Sequence, residues 1–156
     1  MPLSFKHLTS TKQLSREDMD AILKVTEDME KVYSAGGNEM FKGKVFANLF
    51  YEPSTRTRLS FDAAMKHLGA SVITADGLQF SSLYKGETIE DTITVICQYS
   101  DAIVMRHPEQ GSADTAAAIS SVPFINAGDG PGQHPTQAIL DMYTIFKERG
   151  TLDGIH

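Results

Sequence analysis

Five consecutive residues, Ser54-Thr55-Arg56-Thr57-Arg58, each end in a hydrogen-bond donor, and both arginines hold a permanent positive charge. Glu52 stands just before them, close enough to pin one of the guanidinium groups. Such a concentration of donors suits an anion, a phosphate or a carboxylate, better than a metal ion or a nucleophile. A plainer account exists for each part: Ser or Thr at a helix start is often only an N-cap, and paired arginines often face solvent. Five donors in a row exceed what a cap requires.

The flanking residues say where this run sits. Val45-Phe46-Ala47-Asn48-Leu49-Phe50 before it is an apolar run of strand length, and Leu59, Phe61, Ala64, Met65 and Leu68 after it repeat at helical spacing. The run is therefore a strand-to-helix turn. The first N–H groups of the helix lack intrahelical partners there, and the macrodipole favours negative charge.

Two more polar groups fall at comparable places. Asp101-Ala102-Ile103-Val104-Met105 reads as a strand with Arg106-His107-Pro108 directly at its end. Val122-Pro123-Phe124-Ile125-Asn126 reads as another, followed by the glycine-rich Ala127-Gly128-Asp129-Gly130-Pro131-Gly132-Gln133. Gly128, Gly130 and Gly132 lack the spacing of a dinucleotide fingerprint, and no Walker pattern is present. Beyond them His134-Pro135-Thr136-Gln137 opens a helix, with Pro135 at its favoured first position, His134 at the N-cap and Gln137 at N3.

The rest of the chain supplies the frame. Ser15 to Asp18 forms a capping box for a helix whose stripe runs from Met19 to Tyr33 and stops at Gly36-Gly37. The acidic residues on that helix, Asp18, Asp20, Glu27, Asp28 and Glu30, fit a solvated face better than a metal site. Gly69 reads as the C-cap of the helix after the donor run, and Ser71 to Ala75 as a second strand. A polar loop from Asp76 to Lys85 leads to a helix opened by Gly86-Glu87-Thr88, and an Ala-rich helix covers about 113 to 119. The fold class is α/β: an open parallel four-stranded sheet with helices on both faces. Ligands bind outside the carboxyl ends of strands in such sheets, and Ser54 to Arg58, Arg106, and His134 with Gln137 all fall at those ends. None has an evident general-base partner, so the expected chemistry is binding a phosphate while polarising a nearby carbonyl.

Composition narrows the classes. At 156 residues, 41% hydrophobic and 22% charged, the chain is one ordinary globular domain. A net charge of −6 argues against broad binding to nucleic acid or anionic membranes. Cys97 is the only cysteine, so there is no intrachain disulfide and no Cys-based metal site, and the cytosol is the simplest compartment. Met1 to Leu8 lacks a signal-peptide core, and no run approaches transmembrane length.

Phe50 to Phe61, Lys85-Gly86-Glu87, Val104 to Pro108 and His134 to Gln137 resemble, in order and spacing, the motifs of the transcarbamoylases, and most closely those of aspartate carbamoyltransferase catalytic chains. Ornithine carbamoyltransferases typically show Lys at the position of Glu52 and no His-Pro after the Arg. The resemblance implies that Ser54, Thr55, Arg56 and Thr57 hold the phosphate of carbamoyl phosphate. Arg56, Thr57, Arg106 and His134 would surround its carbonyl oxygen, and Gln137 would accept from its amino group. It further implies a homotrimer in which Ser81 and Lys85 reach a neighbour's site, although Lys85 by itself reads as a solvated loop residue. The implied reaction carbamoylates the amino group of L-aspartate and releases phosphate, in pyrimidine synthesis, with no metal or organic cofactor. Regulatory chains are a further partner in the family.

By this resemblance, residues 1–150 are the carbamoyl-phosphate-binding domain and 151–156 begin the linker to an aspartate-binding domain. The chain alone is expected to bind carbamoyl phosphate or phosphate weakly and to show little or no transferase activity. Two alternatives stay open: a non-catalytic anion-binding or assembly module, and an ornithine-specific enzyme.

Overall fold

The computed structural model of the protein describes residues 3–76 and 86–154. A 3-10 turn, Thr11–Gln13, precedes α1 (Arg16–Ser34). Then follow β1 (Val45–Phe50), α2 (Thr55–His67), β2 (Ser71–Asp76), α3 (Ile89–Ile96), β3 (Ala102–His107), α4 (Ser112–Ile119), β4 (Phe124–Asp129) and α5 (Pro135–Arg149). The strands form one parallel sheet in the order β2-β1-β3-β4. The expected fold class is what is found.

Side-chain alternation along the strands builds two cores. Ala47 and Leu49 of β1 and Ile103 and Met105 of β3 point to one face, where Ile93 of α3 and Ala113 and Ala116 of α4 cover them. Phe50 and Val104 point to the other, with Met65 and Phe61 of α2 and Ala127 of β4. Burying each large side chain here contributes about 1.5–3 kcal/mol. The small residues of α4 let it lie close to the sheet.

Several boundaries differ from expectation, β2 among them, which runs one residue further, to Asp76. β3 begins at Ala102 and runs through Arg106 and His107, so Arg106 lies within the strand. Asp101 is instead a turn residue, its carboxylate accepting from Val45 N at 2.9 Å and pairing with Lys44 at 2.8 Å. β4 begins after Pro123 and takes in Ala127-Gly128-Asp129, because these small residues keep pairing with β3 as far as His107 across a register shift. The C-cap of α2 is Leu68, and Gly69, at φ +79°, is the residue after it.

The strand order makes the crevice. From β1 the chain crosses to β2 on one side, then returns to place β3 on the other. The carboxyl ends of β1 and β3 thus lie at a topological switch point, where connections diverge and leave room for a ligand.

Candidate anion-binding site

A cleft of about 1020 Å³ opens at this switch point. Ser54, Thr55, Arg56 and Thr57 line it from the start of α2, Arg106 from β3, and His134, Thr136 and Gln137 from the start of α5, with Phe61, Ala64 and Leu140 along its apolar side. Seven of the nine expected site residues therefore meet in one place. Ser81 and Lys85 lie outside the described residues. A second cleft, between α1 and α5, is lined by groups already paired with each other: Glu30 accepts from Tyr143 at 2.8 Å and from Lys147 at 2.6 Å.

At α2 the donors point outward for a simple reason. Ser54 is the N-cap, yet its hydroxyl makes no capping hydrogen bond. The first intrahelical bond is Arg58 N to Ser54 O, 3.0 Å, so the N–H groups of Thr55, Arg56 and Thr57 precede the helical ladder. Asn48, fully buried in β1, fastens this turn to the sheet by donating to Arg58 O at 3.3 Å and to Asp62 at 2.8 Å. Arg58 does not line the cleft, although the sequence suggests it as a fifth donor. Residues two apart on a helix point to nearly opposite sides, so Arg56 and Arg58 cannot both face one ligand.

Charge placement sets these two helix ends apart. α1, α3 and α4 each carry acidic residues in the first turn, which satisfy the dipole internally. The first turns of α2 and α5, the two that line the cleft, carry none. Their positive ends are left for an external anion.

Arg106 reaches the cleft because alternation along β3 sends it to the α2 side. His107 goes to the other face and meets Tyr51 edge-on, with ring centroids 4.7 Å apart and planes at 61°. Glu52 pins Arg106, not an arginine of its own turn: Nε donates to Glu52 Oε1 at 2.5 Å, with both side chains about one-quarter exposed. The outer nitrogen Nη1 is 3.5 Å from Ala127 O and 3.4 Å from His134 Nε2. Gly128, at φ +121°, makes this meeting possible, because a Cβ there would lie 3.3 Å from Arg106 Nη1 and 3.4 Å from His134 Cδ2. Gly128 and Asn48 were not legible as site residues; a glycine-rich turn and one Asn in an apolar run were their only signals.

A neutral His134 ring can accept at only one nitrogen. Gln137 N donates to Nδ1 at 3.3 Å in the N-cap, which leaves the proton on Nε2. The 3.4 Å approach of Arg106 Nη1 to Nε2 is then a close contact rather than a hydrogen bond. Burial, and then the neighbouring Arg106, hold the imidazole pKa below its usual 6.5, keeping it neutral near pH 7. Gln137 Nε2 donates to Asp141 at 3.0 Å, which leaves Gln137 Oε1 as an acceptor. The cleft thus offers charge and N–H donors at α2, carbonyl-polarising donors at Arg106 and His134, and one acceptor at Gln137. Among the described residues no group of His, Cys, Asp or Glu is arranged to hold a metal ion.

Three histidines make the fold acid-sensitive. Burial is the main cause holding His7, His107 and His134 below 6.5. Each binds a proton more weakly folded than unfolded, so stability is full above 6.5 and falls as pH drops below it. Each tenfold weakening of proton affinity corresponds to about 1.4 kcal/mol at the acid limit. Carboxylates act later: hydrogen bonds from Ser4 and Ser15 hold Asp18 down to about 2, so its contribution is lost only well below the usual 3.8. Urea unfolding should therefore show stability already falling between pH 7 and 5. A flat profile across that window would refute the assignment.

The described family model of the aspartate/ornithine carbamoyltransferase carbamoyl-phosphate-binding domain matches residues 6–147. The chain belongs to this carbamoyltransferase family. It is 58% identical over 146 residues to the chloroplastic aspartate carbamoyltransferase of Arabidopsis thaliana, covering 92% of this chain and 37% of that one. The catalytic subunit of M. jannaschii aspartate transcarbamoylase superposes with a TM-score of 0.90 at 51% identity, over 97% of this chain and 50% of that one. Aspartate transcarbamoylase from Trypanosoma cruzi, solved with carbamoyl phosphate, gives 0.88 at 44% identity, over 96% and 49%. The chain spans half or less of the length of these relatives. Among the described residues, no helix is long and apolar enough to cross a membrane.

Proposed function

We propose that the cleft binds carbamoyl phosphate and that, joined to an aspartate-binding second domain, the chain transfers the carbamoyl group to L-aspartate. One observation carries this reading: a phosphate-type cradle at α2 and a carbonyl-polarising pair, Arg106 and His134, share one cleft with the acceptor Gln137. Ser54, Thr55, Arg56 and Thr57 take the phosphate. Arg56, Thr57, Arg106 and the Nε2–H of His134 surround the carbonyl oxygen, and Gln137 Oε1 accepts from the carbamoyl amino group. A bare phosphate would leave the last three without work.

In the reaction, the aspartate amino nitrogen forms a bond to the carbamoyl carbon and the carbon–oxygen bond to phosphate breaks. The amine proton leaves on the departing phosphate, so the cleft needs no protein base. Negative charge grows on the carbonyl oxygen as the amine adds, and donors already aimed there stabilise it without reorganising. Holding carbamoyl phosphate in one orientation supplies the remaining advantage. A neutral His134 suits this role, because Nε2–H donates while the ring adds no further positive charge beside Arg106.

The assembly is a homotrimer in this proposal, with Ser81 and Lys85 completing a neighbour's site; regulatory chains are a further family partner. A cytosolic setting rests on composition alone, and the Arabidopsis relative is named as chloroplastic. Residues 1–150 form the carbamoyl-phosphate domain and 151–156 the start of a linker.

Calorimetry on the 156-residue chain tests the ligand. Carbamoyl phosphate should bind more tightly than inorganic phosphate, and equal affinities would remove the carbonyl half of the proposal. Fusion to a second domain should then give turnover with L-aspartate in preference to ornithine. The reverse preference would overturn the aspartate assignment.

A further inference from the structure

The residue just before His134 is fastened on three sides by groups that do not line the cleft. Gln133 N donates to Asp129 Oδ1, and Gln133 O accepts from Asn126 Nδ2 at 3.2 Å. Its side-chain oxygen accepts from Ser10 Oγ at 3.1 Å and Thr11 Oγ1 at 3.4 Å, more than 120 residues away. Asp129, only 5% exposed, has its second oxygen occupied by Gly111 N at 3.0 Å. The turn wraps this carboxylate so closely that a Cβ on Gly132 would lie 2.6 Å from it.

The N-terminal segment that supplies Ser10 and Thr11 is itself part of the sheet edge. Leu8 bridges Ile125 in parallel, with Leu8 N donating to Phe124 O and Asn126 N to Leu8 O, each at 2.8 Å. Asn126 Nδ2 also donates to Thr9 O at 2.9 Å, and a capping box between Ser10 and Gln13 holds the 3-10 turn. No residue of this segment lines the cleft, yet Ser10 and Thr11 are hydrogen-bonded to Gln133, which adjoins the N-cap of α5.

We propose that Gln133, held by Ser10 and Thr11, is a positioning residue that aims the His134 imidazole at the carbonyl of the bound carbamoyl phosphate. This rests on the ligand proposed above. Catalytic sites lose much of their advantage when a donor is misplaced by a fraction of an ångström, so remote fastening of one ring has a measurable effect. The clamp acts at the start of α5, which carries His134, and not at the α2 cradle, which is fastened separately through Asn48.

The double variant Ser10→Ala/Thr11→Val, in the 156-residue chain, removes both donors to Gln133. Carbamoyl phosphate should then bind about tenfold more weakly, equivalent to ~1.4 kcal/mol. Inorganic phosphate, held at α2, should keep its affinity. Nitrogen NMR of His134 should show loss of the fixed Nε2–H tautomer and a titration midpoint rising toward the ordinary histidine value. Thr11→Ser, which keeps the hydroxyl, should behave as the parent in all three measurements. Equal weakening of both anions would mean general destabilisation and would overturn the positioning role, as would an unchanged His134 spectrum. If the parent chain does not prefer carbamoyl phosphate, the ligand assignment fails separately, and the His134 spectrum alone decides whether the clamp positions the ring.

Discussion

Replacing Arg56 with alanine is expected to weaken carbamoyl phosphate binding at least about a hundredfold. Hydrogen bonds to charged groups contribute about 1.5–3 kcal/mol each, and Arg56 is placed to make two of them, one to phosphate and one toward the carbonyl. The fold should be little affected, because Arg56 is exposed and makes no core contact. Inorganic phosphate should weaken as well. Arg106→Ala should have a different signature, a similar loss for carbamoyl phosphate with a smaller one for phosphate, because Arg106 stands on the carbonyl side beside His134. Arg106→Lys should not rescue it. A single ammonium cannot hold Glu52 with one edge while presenting other N–H groups to Ala127 O and a ligand. Calorimetry and thermal unfolding of the three variants check these outcomes together, and parental affinity in Arg56→Ala would remove the cradle from the proposal.

The second large effect concerns the assembly. In an enzyme completed by its second domain, Lys85→Ala and Arg106→Ala should each be nearly inactive alone. Dissociated, mixed in equal amounts and reassembled, they should recover roughly one-quarter of parental activity, if closed cyclic trimers form at random. The fraction follows from geometry. A site works only when the subunit giving Arg106 is the Lys85 variant and the neighbour giving Lys85 is the Arg106 variant, each about an even chance in a symmetric ring. Sites built within one subunit would never be complete in such hybrids. Intact mixed trimers with no recovered activity would therefore rule out shared sites.

Much of the molecule was readable one residue after another. Periodicity placed the helices and strands, because the 3.6- and 2-residue repeats are local consequences of which face is buried. The donor-rich turn and the N-cap at His134 were legible for the same reason, because helix caps involve neighbours within four positions, whereas Arg106, expected just past β3, lies within it. Errors fell where local signals are ambiguous. Ala127-Gly128-Asp129 looks like a turn by composition and is strand by pairing, because β3 offers partners that composition cannot reveal.

Sequence by itself therefore determined the α/β class, the elements and a set of candidate donors. Only the folded arrangement decided how those donors divide. Strand order created the crevice between β1 and β3. Alternation within β3 sent Arg106 into it and His107 away from it, and helical geometry kept Arg56 while turning Arg58 aside. Glu52 chose a partner 54 residues distant, and Gln133 chose two more than 120 away. Such choices depend on distances through space, and those exist only after loop closure has brought remote segments together.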